Sequence, residues 1–126
     1  MTIHPRVFVV NEPLKRDETG AWARTMDLSP AEEHGTLIFL LPAGNGPRDP
    51  EPTIETLLHK LRDFQPTDYL LPVGHPLYIA WAAAIAAQNA DGQLQTLLWD
   101  GRTRTYRAVA AQLWTEWKDI EEPAVA

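Results

Sequence analysis

Residues 70–87, "LLPVGHPLYIAWAAAIAA", join an apolar extended stretch to a helix through the three residues Gly74-His75-Pro76. "DYLLPVG" (68–74) has the composition of a buried strand. "PLYIAWAAAIAAQNA" (76–90) reads as a helix with no polar position before Gln88, closed by Asp91-Gly92. A strand that turns tightly into a long helix is the first half of a βαβ unit. The turn has two readings. In the first, Gly74 lets backbone approach a ligand, His75 supplies an imidazole, and the helix start offers N–H groups and positive potential to an anion. In the second, Gly74 makes the turn, His75 caps the helix, and Pro76 presets the helical φ.

The flanking segments repeat the pattern. "TLIFLLP" (36–42) is a continuous apolar run between Gly35 and Pro42, as expected of a strand buried on both faces. Between it and residue 68, Ile54, Leu57, Leu58, Leu61 and Phe64 fall at helical spacing, with Thr53 as the expected cap. "QLQTLLW" (93–99) follows the apolar helix as another strand, with its core at 94–99. Two consecutive βαβ units therefore predict an α/β fold with a mainly parallel sheet. "RVFVVN" (6–11) adds a strand, and Asp100-Gly101 signals a hairpin into a C-terminal antiparallel strand over 103–113. "LSPAEEHG" predicts a short helix with Ser29 as N-cap, Glu32 closing a capping box and Gly35 as the stop. Residues 12–27 show neither period and read as a surface excursion. The layering is three-layer or open two-layer, in a single domain over 1–126 with a flexible tail at 115–126.

Composition narrows the chemistry. The 126 residues include five Trp, three Tyr and three Phe and no Cys, so a core is available without disulfides, and thiolate nucleophiles and Cys-ligated metals are excluded. A net charge of −6 argues against nucleic acid as a partner. "MTIHPRVFVVNEP" lacks the basic start and apolar core of a signal peptide, and the longest apolar run, 77–87, is too short to span a bilayer. The expectation is a cytoplasmic protein with no membrane partner.

No catalytic motif stands out. His4, His34, His59 and His75 form no metal-binding pair, Ser29 is the only serine and lies outside any G-x-S-x-G elbow, and no cofactor or metal is expected. The loops leaving the two central strands, "PAGNGPRDP" and "PVGHP", bring Gly44, Asn45, Gly46, Arg48, Gly74 and His75 to the carboxyl ends of the strands, where open α/β sheets bind ligands. "GNGPR" lacks the Lys-Ser/Thr of a phosphate-binding P-loop. Arg102 and Arg104, read as sharing a strand face with Tyr106, and Arg107 on the other face form a basic hairpin; it would bind an acidic partner or guard a sheet edge. Leu77, Tyr78, Trp81 and Ile85 leave the apolar helix to be covered by its own chain or by a partner.

The stretches "RVFVVNEPLKRD" (6–17), "MDLSPAEEHGTLIFLLP" (26–42), "DFQPTDYLLPVGHP" (63–76) and "LLWDGRTRTY" (97–106), in this order, resemble small uncharacterised proteins carried by bacteriophages and prophages. The resemblance covers nearly the whole chain and implies a bacterial or phage setting without supplying an activity. The sequence thus points to a non-enzymatic phage accessory or interaction protein, either a homodimer or the binder of another protein. The alternative is a small enzyme or sensor for a nucleotide or other phosphate-bearing ligand, with its crevice at the carboxyl ends of the strands.

Overall fold

A computed structural model describes residues 4–44 and 49–114. In chain order the elements are β1 (Arg6–Asn11), β2 (Leu14–Arg16), β3 (Trp22–Arg24), α1 (Ser29–Glu32), β4 (Thr36–Leu41), α2 (Pro50–Lys60), β5 (Tyr69–Leu71), α3 (Pro76–Asn89), β6 (Gln93–Asp100) and β7 (Thr105–Gln112). The main sheet runs β4-β1-β5-β6-β7. All neighbours are parallel except β6 and β7. The mainly parallel sheet with a C-terminal antiparallel hairpin strand is therefore the architecture of this chain.

Strand order is where the structure adds most. β1, which in sequence reads as an added strand, lies between β4 and β5, with Phe8 opposite both Ile38 and Leu70. Counting only main-sheet strands, the first sits between the second and the third. This is the order of flavodoxin-like doubly wound sheets, except that the last strand here is antiparallel. Because the chain leaves β1 in one direction and later returns across it, right-handed crossovers must lie on opposite faces. They do: α2 and α3 bury Leu57, Leu61, Tyr78, Ala82 and Ala86 against Phe8, Val10, Leu40 and Leu70. Leu28 and Ala31 cover Val7, Val9, Leu71 and Leu97 on the other face.

Local chemistry explains the boundaries that differ from sequence expectation. α2 begins at Pro50, not after Thr53, because Asp49 accepts from Glu51 N at 3.3 Å and Pro50 suits the first helical turn. It ends at Lys60, although Leu61 and Phe64 stay buried beyond it. The capping box at Ser29 does not form. Asp27 Oδ1 takes both Ser29 N and Ser29 Oγ, at 2.9 and 2.7 Å, and the cap position falls on Leu28. Residues 12–27 hold a small hairpin, β2 with β3, closed around Asp17, whose Oδ1 accepts from Thr19 N, Thr19 Oγ1 and Ala21 N.

At the amino end of β1 the buried Asp68 carboxylate accepts from Arg6 N, Nε and Nη2 and from Gln65 N. The bonds to Asp68, together with its negative charge, push the Arg6 guanidinium further up despite partial burial. This cluster ties β1 to the segment that enters β5. The tail assigned to 115–126 lies outside the described residues.

Candidate functional site

The carboxyl edge of the sheet carries two adjoining concavities. The first sits at the switch point between β1 and β5, a crevice of about 420 Å3 that includes Asn11, Gly44, Gly74 and His75. Three of the residues expected at a ligand crevice, Gly44, Gly74 and His75, are thus brought together; Asn45, Gly46 and Arg48 lie outside the described residues. Asn11, which sequence reasoning left unremarked, organises the place. Its Nδ2 donates to Pro42 O at 3.1 Å and its Oδ1 accepts from His75 N at 2.9 Å.

The Gly74-His75-Pro76 turn is consequently built from within. Gly74 has φ +130°, and a β-carbon there would overlap the Asn11 side chain. His75 Nδ1 accepts from Leu77 N at 3.1 Å as the N-cap of α3, and Pro76 has no N–H to offer. The donors of His75 and Leu77 are already engaged in holding the turn.

The second concavity, about 710 Å3, shares Met26 and Val73 with the first and lies between β5, β6 and the segment before α1. Its floor is Leu71, Val73 and Leu97. Trp99 and Tyr106 form one wall, their rings edge to face with centroids 5.0 Å apart. Asp27 and Arg104 are its charged groups. Burial pushes the Tyr106 phenol up, and the Asp27 carboxylate adds to this. Ser29, through its hydroxyl and then its backbone N–H, holds Asp27 below the usual carboxylate range. Size and an apolar lining with few polar groups suit this cavity to a small ligand. Its residues come from three distant segments with no local motif, so sequence reading did not find it.

The basic hairpin differs from expectation. Arg102 and Arg104 are in the turn and not on a strand face. Asp100 Oδ1 accepts from Arg102 N, Asp100 O accepts from Arg104 N, and Arg104 adopts φ +57°, so β7 begins only at Thr105. Asp-Gly here opens a four-residue turn, 101–104, because the Asp100 side chain caps it. Arg107 is on the strand and exposed, while Tyr106 beside it is buried. In α3, Tyr78 is buried, Trp81 and Ile85 are half-buried along the margin of the helix-side core, and Leu77 is exposed. The helix is apolar all round because its outward positions include Ala80 and Ala84.

In the main sheet, β7 is the strand least covered by the rest of the described chain. Tyr106 is its only buried side chain. Its neighbours Leu98 and Trp99 on β6 are about half exposed, as are Leu113 and Trp114 just beyond it. The outer edge of β7 has no strand beside it among the described residues. No described helix is long and apolar enough to cross a membrane. Among the described residues no group of His, Asp or Glu side chains is placed to hold a metal ion.

These observations define a small α/β protein with a doubly wound strand order, ligand-sized concavities at its carboxyl edge and an antiparallel edge strand that has no further strand beside it among the described residues. The chain belongs to the Phage Pam3 gp32-like protein family, whose model matches residues 5–113. Comparison with curated proteins and with solved structures gives no significant match.

Proposed function

We propose that this phage-family protein is a non-enzymatic accessory protein of the host cytoplasm that works by protein–protein contact, as a homodimer joined edge to edge along β7. The observation that carries the reading is the eight-residue edge of β7, which has no strand beside it among the described residues and runs Ala108-Val109-Ala110-Ala111 through its centre. Arg107 is its one charged residue, and it has no lysine, proline or bulge. Edges of this kind are normally blunted or paired. The strand also suits a second copy electrostatically. The chain carries a net charge of −6, yet no carboxylate falls between Gly101 and Thr115.

The register follows from the ladder. Leu113 N donates to Gly92 O, so hydrogen-bonded pairs alternate from there, and Tyr106, Ala108, Ala110 and Gln112 turn their N–H and C=O groups outward. Antiparallel pairing of two copies through these groups over the whole strand places Val109 on the two-fold axis against its own counterpart. Arg107 then meets Ala111, so the arginines do not face each other. Such an interface is self-complementary, as two-fold symmetry requires.

Sedimentation equilibrium at micromolar concentration tests the proposal. The expected result is a dimer for the natural chain and a monomer for Ala110→Pro, which removes an outward donor without touching the β6–β7 ladder. A monomeric natural chain, or an Ala110→Pro variant that still dimerises, overturns it.

A further inference from the structure

We infer that the 710 Å3 concavity beneath Trp99 binds a zwitterionic amino acid with a large aromatic or aliphatic side chain. Three observations converge on that class. The floor and walls are apolar and aromatic, with Leu71, Val73 and Leu97 below and the crossed rings of Trp99 and Tyr106 beside them. Such surfaces take up a hydrophobic side chain and leave its polar end at the mouth.

The mouth carries both signs of charge. The Arg104 guanidinium makes no hydrogen bond or ion pair among the described residues, although it lines the cavity. A planar fork of donors without a partner is suited to a carboxylate, which it can grip through two parallel bonds. Asp27 lines the same cavity and forms no salt bridge with Arg104. Its Oδ1 accepts from Ser29, and although the Arg24 charge also acts on this exposed carboxylate, Oδ2 makes no hydrogen bond among the described residues and remains for a ligand ammonium. A simple acid would leave Asp27 as a like charge near its carboxylate, and a simple amine would leave Arg104 in the same position. A zwitterion satisfies both.

The backbone of Arg104 is informative as well. Its φ of +57° belongs to the region that glycine prefers. That conformation closes the 101–104 turn, in which Arg104 N donates to Asp100 O, and the turn sets the guanidinium at the cavity.

The test is isothermal titration of the full chain with L-phenylalanine, L-leucine, 3-phenylpropionate and phenethylamine. The two amino acids are expected to bind at least about tenfold more tightly than the acid or the amine, the difference that one charge-assisted bond makes. Arg104→Gly, which relieves the φ strain and so preserves folding, is expected to weaken L-phenylalanine at least about tenfold, and Asp27→Asn, which keeps the Ser29 bonds, similarly. Trp99 emission should respond to L-phenylalanine, and Trp99→Phe should remove the response. Absence of binding by either amino acid overturns the inference. So does equal binding of the acid or amine, or unchanged affinity in Arg104→Gly.

Discussion

The Asn11 side chain occupies the space that a β-carbon on Gly74 would need, and its Oδ1 accepts the N–H of His75 next along the chain. The end of β1 and the turn after β5 are therefore one unit. Gly74→Ala must overcome both a φ of +130° and overlap with Asn11, and is expected to cost about 2–4 kcal/mol. Asn11→Ala leaves His75 N and Pro42 O without their partner and should cost about 1–3 kcal/mol. In the Asn11→Ala background the added cost of Gly74→Ala should shrink by at least about 0.5 kcal/mol, because the overlap is gone while the φ strain remains. Urea unfolding of the four chains measures this; strictly additive costs would contradict it.

The two carboxylates that meet Arg6 should behave differently. Asp68 is 2% exposed and holds Arg6 and Gln65 through several bonds, so Asp68→Ala is expected to lose about 3 kcal/mol. The Asp63 side chain is 61% exposed, and removing its contact with Arg6 should cost less than about 1 kcal/mol. Equal losses in chemical denaturation would show that the cluster is not centred on Asp68.

Tyr106 gives the fold a dependence on alkaline pH. Unfolded tyrosine ionises near about 10, whereas the buried phenol keeps its proton longer, first through desolvation and then through Asp27. Between those two values the unfolded chain binds fewer protons, so this contribution is complete below about pH 10 and declines as pH rises through the folded value. In ultraviolet titration, subtracting Tyr106→Phe from the natural chain should reveal one late phenol. Asp27→Asn should move it part of the way back, since burial remains. A phenol titrating at the ordinary value would remove desolvation as its cause.

Asp27 and Asp17 act at the other end of the scale. Both are held below the usual carboxylate range, chiefly by the hydroxyls of Ser29 and Thr19. What they contribute is present above the ordinary carboxylate pKa and is lost as pH falls through the lowered folded values. Ser29→Ala should return Asp27 toward the ordinary range, as carboxyl-carbon NMR titration would register. An unchanged Asp27 titration in Ser29→Ala would contradict the assigned cause.

How far these features could be read from the chain depends on their range. Strands 36–41, 69–71 and 93–100 announce themselves because apolar runs bounded by Gly and Pro carry their own period and stops. The position of β1 between β4 and β5 does not, since strand order is set by which crossovers pack and leaves no local mark. The β2–β3 hairpin escaped because strands of three residues are too short to show alternation. Ser29 misled because Asp27, two residues earlier, takes the Ser29 N–H that Glu32 would have accepted and draws the hydroxyl to itself as a donor. Gly74 and His75 were legible as a turn, but their partner Asn11 stands 64 residues from His75. The larger cavity was invisible for the same reason: Asp27, Trp99 and Arg104 meet only in three dimensions.

Amide hydrogen exchange, resolved by residue and followed over a dilution series, tests edge-to-edge pairing most directly. Ladder amides such as Arg107 and Val109 bond to β6 and should be protected at every concentration. The outward amides of Tyr106, Ala108, Ala110 and Gln112 should be protected when the protein is concentrated and exchange quickly once dilution separates the copies. Outward amides that exchange freely at all concentrations would contradict the dimer.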